Sequence, residues 1–107
     1  MRKWLTNIQW CPGCWDTLII MAIKNAFKDL QIASHQRVVV SWVGCSGKAS
    51  QYIDGYAAET LHGRTLPFAT GIKIAKPELT VLAVGWDGDG YGIGMGHFIH
   101  ACRRNLN

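Results

Sequence analysis

The amino-acid sequence predicts an α/β fold, a parallel sheet with flanking helices. Two continuous runs rich in β-branched residues, 37–44 (RVVVSWVG) and 79–85 (LTVLAVG), are typical of strands that are buried on both faces. A helical stretch lies between them, and the order strand, helix, strand is the crossover that joins parallel strands. The 107 residues are 49% hydrophobic, which is enough for one core, so we expect one domain.

The elements are predicted in order along the chain. An amphipathic helix covers 17–30, where apolar residues recur with helical spacing and Asp16 or Thr17 supplies the N-cap. Its predicted apolar residues are Ile19, Ile23, Ala26, Phe27 and Leu30. After the first strand, a turn at Gly63 leads to a second helix, which must end before Pro77 because the residue before a proline avoids the helical region. A glycine-rich turn after the second strand leads into a last helix, in which we expect Cys102 to be a small buried residue.

Composition and charge exclude several classes of function. The net charge of +4 suits an acidic partner, but the basic residues are scattered, so we expect no nucleic-acid surface. The longest apolar run, 18–23, is far shorter than the roughly 20 residues that cross a bilayer, and we expect no membrane span. We see no secretory leader, and therefore expect the reducing cytoplasm, where cysteines serve metal binding or redox chemistry.

Two unusual segments follow the predicted strands. In open parallel sheets ligands bind outside the carboxyl ends of the strands, and both GCSGK (44–48) and WDGDG (86–90) fall there. The glycines allow close approach of the backbone to a ligand, and an aspartate beside them can hold a Mg²⁺ ion that binds a diphosphate. Neither segment has the spacing of a dinucleotide fingerprint or a Walker loop.

The cysteines leave three kinds of site open. Cys11 and Cys14 are two residues apart in WCPGC, and Cys45 lies in the GCSG loop. An iron–sulfur cluster accepts ligands from distant loops, whereas a zinc ribbon would need a second close pair. A dithiol site like that of thioredoxin would need a strand and a helix before the motif. We rank cluster, zinc and dithiol in that order. For His62 in LHGR, a surface turn and a functional role are evenly balanced.

Four segments together resemble the β subunit of 2-oxoacid:ferredoxin oxidoreductases: WCPGC, VGCSGK, ETLHGRTLPFATGIKIAKPELTV and DGDGYGIGMGHFIHACRRN. The segments keep their order over nearly the whole chain from Trp10. The resemblance implies a thiamine diphosphate-binding domain, of which residues 1–107 would be a single partial domain, its amino-terminal part.

The resemblance also implies the site residues. It assigns three ligands of a 4Fe-4S cluster to Cys11, Cys14 and Cys45, and the Mg²⁺ ligand to Asp89. It lays His62 against thiamine diphosphate, with Gly44, Cys45, Ser46 and Gly47 as the loop beneath the cofactor and Gly88 and Gly90 beside its diphosphate. Lys48 would face the substrate, where its ammonium could pair with the distal carboxylate of 2-oxoglutarate.

The implied activity is oxidative decarboxylation of a 2-oxoacid, 2-oxoglutarate or pyruvate, to an acyl-coenzyme A, with electrons passing to ferredoxin. An α subunit is the implied partner, and we expect no turnover from the isolated chain. A rival hypothesis is a non-catalytic assembly subunit, because Trp15 and Trp86 stand where the family has glycine. A third is a dithiol oxidoreductase that uses Cys11 and Cys14 alone.

Overall fold

A computed structural model describes residues 8–106 and contains a three-stranded parallel sheet with helices on both faces. The predicted fold class is therefore confirmed. The elements, in chain order, are α1 (Trp15–Asp29), β1 (Arg37–Ser41), α2 (Ala49–Tyr52), β2 (Tyr56–Glu59), α3 (Thr65–Ala75), β3 (Thr80–Val84) and α4 (Met95–Arg103). The predicted partial domain, 1–107, extends beyond the described residues at both ends.

The sheet has the strand order β2-β1-β3, so that β1 is central and pairs with both neighbours. Val38 is paired with Tyr56 on one side, and Arg37 with Thr80 on the other. Val38, Val39, Val40 and Ser41 are all buried. A β-branched run suits this position, because side chains on both faces of a central strand are covered.

The core lies in two layers because successive side chains of β1 point to opposite faces of the sheet. On one face Val39 packs in a cluster with Ile20 and Phe27 of α1. On the other face Val38 and Val40 pack with Ala69 of α3. The sheet therefore packs between α1 on one face and α3 on the other. The loops that follow the strands lie at its carboxyl edge.

Several predicted boundaries were wrong in detail. β1 ends at Ser41 rather than at residue 44, because the Ser41 hydroxyl donates to the Gly47 carbonyl and so turns the chain back on itself. The short strand β2 was not predicted. The predicted N-caps of α1 were also wrong: the N-cap is Cys14, and the Asp16 side chain is used elsewhere. The buried face of α1 runs through Ile20 and Phe27.

The apolar residues Ile19 and Leu30, which the helical pattern placed on the core face of α1, are exposed. Cys102 is also exposed, against our prediction, because it lines an open groove between α3, α4 and β3. In the part of the chain that the structure describes, no helix has the length and apolar character needed to cross a membrane.

Candidate functional site

The loop after β1 folds tightly against the strand that it leaves. Gly47 passes so close to the Trp42 carbonyl that any side chain at position 47 would overlap it. The Ser41 hydroxyl donates to the Gly47 carbonyl at 2.6 Å, and it also lies 2.6 Å from the Ser50 hydroxyl. All three of these anchoring residues are buried. The loop that carries Cys45 is therefore fixed by contacts that only glycine permits.

A buried carboxylate lies after β3. Asp89 is 4% exposed, and its Oδ1 accepts a hydrogen bond from the backbone N–H of Gly63. Oδ2 lies against Gly85, where an added Cβ would be 2.5 Å away. Gly63 has φ +75° and sits against Ile93, so the turn that supplies this N–H depends on glycine. The backbone thus holds Asp89 in one orientation.

His62 lies beside this carboxylate. Its Nδ1 is 4.0 Å from Asp89 Oδ1, and 43% of its side chain is exposed. The imidazole stacks on the indole of Trp42, with 4.1 Å between ring centroids and 27° between the planes. The structure therefore brings together two of the predicted residues, His62 and Asp89, from loops that follow different strands.

The glycine-rich turn after β3 is a π-helical segment, Gly88–Ile93, with a kink at Gly92, where the backbone is not helical. A Cβ at Gly88 would lie 3.9 Å from His62 Cε1, whereas a Cβ at Gly90 would meet nothing within 4 Å. The indole of Trp86 lies near Gly44, with Nε1 3.8 Å from where a Cβ of Gly44 would stand. The GCSG loop and the DGDG turn are therefore neighbours at one edge of the sheet.

The cysteine pair is held next to the GCSG loop by two hydrogen bonds. Trp10 Nε1 donates to the Cys45 carbonyl at 2.7 Å, and the Ser46 hydroxyl donates to Asp16 Oδ1 at 2.9 Å. Asp16 Oδ2 is also 3.7 Å from the Cys14 sulfur. All four cysteines are free, and those at positions 11 and 45 are exposed.

Lys48 ends the 3₁₀ turn Ser46–Lys48. Its Nζ lies 3.4 Å from Gln9 Oε1 in an exposed hydrogen bond. The amide carries no charge, and the ammonium forms no ion pair within residues 8–106. Lys48 therefore stands at the junction between the segment before Cys11 and the GCSG loop.

The donor atoms fit the implied cofactors in part. Asp89 offers Oδ2, which accepts no hydrogen bond within residues 8–106, and carboxylate oxygen is a ligand that Mg²⁺ prefers. The three predicted cluster cysteines occupy segments that are in contact, and two of them have exposed thiols. Within the described residues, however, no three or more His, Cys, Asp or Glu side chains are grouped to hold a metal ion.

Three residues of this region were not found by sequence reasoning as part of the site. Asp16 was assigned to helix capping, but it joins α1 to the GCSG loop. Trp10 and Trp42 were not predicted to belong to the site, although Trp10 bonds to the Cys45 loop and Trp42 stacks on His62. Their position directly beside the cysteine motifs was the available signal.

Comparisons with known proteins identify the family and several relatives of this chain. The family model described as thiamine pyrophosphate enzyme, C-terminal TPP binding domain, matches residues 31–107. The 2-oxoacid:ferredoxin oxidoreductase 2, subunit beta, of Aeropyrum pernix is 46% identical over 111 residues, which cover 99% of this chain and 36% of that protein. The 2-oxoglutarate synthase subunit KorB of Archaeoglobus fulgidus is 49% identical over 102 residues, which cover 92% of this chain and 36% of that protein.

A solved structure is also similar. It is a 2-oxoglutarate:ferredoxin oxidoreductase from Magnetococcus marinus with 2-oxoglutarate, coenzyme A and succinyl-CoA bound. The match has a TM-score of 0.92 and 40% identity, and covers 95% of this chain and 35% of that one. The chain thus spans about a third of the length of these relatives. The resemblance stated from the four sequence segments is confirmed.

Proposed function

Because this chain belongs to the thiamine pyrophosphate enzymes, through their C-terminal TPP binding domain, we propose that it forms part of a 2-oxoacid:ferredoxin oxidoreductase β subunit. The proposed reaction is oxidative decarboxylation of 2-oxoglutarate or pyruvate to an acyl-coenzyme A. The observation that carries the proposal is the buried carboxylate of Asp89, which a backbone N–H holds beside His62 at the carboxyl edge of the sheet.

We assign the diphosphate of the cofactor to this edge. Asp89 would ligate Mg²⁺ through Oδ2, while Gly88 and Gly90 would let the diphosphate approach the backbone. His62 and the Gly44–Gly47 loop would contact the rest of thiamine diphosphate. When bound, this cofactor supplies the electron sink that decarboxylation of a 2-oxoacid needs. The protein's contribution is to fix the metal ligand in advance, so that binding requires little rearrangement.

Titration calorimetry of the chain with Mg²⁺ and thiamine diphosphate tests this assignment. We expect Mg²⁺-dependent binding that Asp89→Asn weakens by at least tenfold, because the amide oxygen carries no full charge toward the metal ion. The matched control is Asp87→Asn, which changes an exposed aspartate two residues earlier and leaves the affinity unchanged. Equal losses in both variants would contradict the role of Asp89.

We further propose that Cys11, Cys14 and Cys45 would ligate a 4Fe-4S cluster, which when bound would supply single-electron transfer to ferredoxin. The hydrogen bonds from Trp10 to Cys45 and from Ser46 to Asp16 support this proposal, because they keep the two cysteine segments in contact. The exposed thiols at positions 11 and 45 are accessible to an incoming cluster. A fourth ligand would come from outside the described residues.

Anaerobic iron and sulfide analysis tests the cluster. The chain would be co-expressed with an α subunit and with the remaining part of a relative's β subunit. We expect iron and sulfide near a four-iron stoichiometry, lost in Cys11→Ser and kept in the control Cys102→Ser, an exposed cysteine on α4. A colourless, iron-free complex would favour the assembly subunit. Reduction of insulin disulfides by that complex would favour the dithiol oxidoreductase.

The partners in this proposal are the α subunit, ferredoxin, the 2-oxoacid and coenzyme A, and the location is the cytoplasm. Lys48 is proposed as a substrate residue. Its ammonium, which contacts only an uncharged amide in the described residues, can pair with the distal carboxylate of 2-oxoglutarate. Pyruvate has no such carboxylate, so Lys48 would favour the longer, dicarboxylic substrate.

A further inference from the structure

The stack between Trp42 and His62 joins the loops that follow two neighbouring strands, β1 and β2. Trp42 directly follows β1, and His62 lies three residues after the end of β2. Their rings are 4.1 Å apart and inclined by only 27°, so that the indole covers one face of the imidazole. At this separation the two aromatic faces are in van der Waals contact.

Trp42 is itself fixed from the other side. Gly47 packs against its carbonyl, and the preceding residue, Ser41, donates a hydrogen bond to Gly47. Its indole nitrogen is buried, with no acceptor among the described residues. The indole is therefore held by its backbone and by packing, and it can serve as a rigid surface for a neighbouring ring.

His62 is constrained on two sides by different means. The indole covers one ring face, and Asp89 lies 4.0 Å from the Nδ1 edge. Nevertheless 43% of the side chain is exposed. We propose that Trp42 is a positioning residue that fixes the plane of His62 beside Asp89 and leaves only the opposite face of the imidazole for a ligand. The identification of this ligand as thiamine diphosphate rests on the proposed function. The stacking of Trp42 on His62 is independent of the proposed function.

Nuclear magnetic resonance of the chain with labelled histidines tests the proposal without any cofactor. At a pH of about 8, where histidines are ordinarily neutral, the carbon-bound ring protons of His62 should be shifted upfield by the indole ring current. The exposed histidines His35 and His100 provide the unshifted reference. Trp42→Leu should remove the upfield shift, and Trp42→Phe should retain part of it, since phenylalanine keeps an aromatic face.

The matched control is Trp86→Leu, which removes an indole from the adjacent loop and should leave the His62 shift unchanged. The indole N–H signal of Trp10, which bonds to the Cys45 carbonyl, reports that each variant is folded. The order parameter of the His62 ring gives a second readout. It should fall in Trp42→Leu while the backbone amide of Gly63, bonded to Asp89, stays ordered.

Either of two results would overturn the proposal: unshifted His62 ring protons in the unmodified chain, or a Trp42→Leu variant with the His62 shift and ring order intact. If Trp42→Leu does not fold, the His62 ring-proton shifts of the unmodified chain and of Trp42→Phe decide whether the proposal holds. Because no cofactor is added, failure here leaves the proposed function standing. Conversely, absence of thiamine diphosphate binding would leave the stack in place.

Discussion

The two halves of the candidate site are built in opposite ways. On the side of β3, the Asp89 carboxylate is buried and fixed by a backbone N–H. On the side of α1, the thiols of Cys11 and Cys45 are exposed, and only the segments that carry them are held in contact. The first half is preorganised within this chain. The second half presents exposed cysteines, whose proposed ligand would have to be completed from elsewhere.

This difference predicts how each half responds to substitution. Residues that hold the backbone of the loops should affect folding strongly, whereas the exposed cysteines should affect ligand content and leave stability nearly unchanged. Four experiments compare the two halves.

The largest effect is expected from Gly47→Ala. The new methyl group would overlap the backbone carbonyl of Trp42, which cannot move aside without displacing the end of β1. We expect a loss in free energy of unfolding of about 3 kcal/mol or more, measured by urea denaturation. The control is Gly96→Ala in α4, where a Cβ meets nothing within 4 Å, and which should gain about 1 kcal/mol from helix propensity. Equal stabilities would contradict the tight packing of the loop.

The second comparison sets Asp89→Ala against Cys11→Ser. Removing the buried carboxylate leaves the Gly63 N–H without its acceptor, which should cost about 1–3 kcal/mol. The serine variant alters an exposed side chain and should stay within about 0.5 kcal/mol of the unmodified chain. Thermal unfolding of both variants measures the difference. A destabilised Cys11→Ser would show that the cysteine side is also preorganised.

Third, Lys48→Ile should change substrate preference in an enzyme assembled from this chain, the remaining part of a relative's β subunit and an α subunit. The lost charge-assisted contact should lower kcat/KM for 2-oxoglutarate by about tenfold, equivalent to about 1.4 kcal/mol. The value for pyruvate should be unchanged. Lys28→Ile, an exposed lysine of α1, serves as the control. An equal loss for both substrates would remove Lys48 from substrate recognition.

The smallest effect concerns the contact between Asp16 and Ser46, which connects α1 to the GCSG loop. A double-mutant cycle with Asp16→Ala and Ser46→Ala should give a coupling energy of about 1 kcal/mol, because one partly buried hydrogen bond is lost. Urea denaturation of the four proteins provides the values. Strict additivity of the two single substitutions would mean that this bond does not hold the two cysteine segments together.

The parts of the fold that could be predicted from sequence are those with strong local patterns. The valine run of β1 reflects burial on both faces of the sheet. The helical spacing of α1 predicted the helix but only part of its buried face, because Ile19 and Leu30 are exposed and Ile20 is buried. β2, with the sequence YAAE, was missed because four residues with two alanines carry no such signal. It becomes a strand by pairing with β1, which is a tertiary effect.

The candidate site divides in the same way. The position of the GCSG loop and of Asp89 at one edge of the sheet was predicted, because the carboxyl ends of parallel strands meet there. For His62, only the family resemblance indicated this position. No local pattern indicates that Trp42 stacks on His62, since the two residues lie in different loops. Likewise, no local pattern predicts the bond from Ser46 to Asp16. An aspartate in the first turn of a helix ordinarily indicates a favourable interaction with the helix dipole. The bond to Ser46 forms only because α1 packs against the GCSG loop.

The central position of β1 also governs how quickly the chain can assemble. β2 and β3 flank β1 on opposite sides, so neither can join the sheet before β1 is in place. Arg37 must meet Thr80 across all of α2, β2 and α3, and such distant pairing makes folding slow. We therefore expect residues 38–40 to keep an unpaired edge during synthesis until β3 has left the ribosome. An apolar strand with an open edge is prone to aggregation, so we expect a chaperone to protect this valine run.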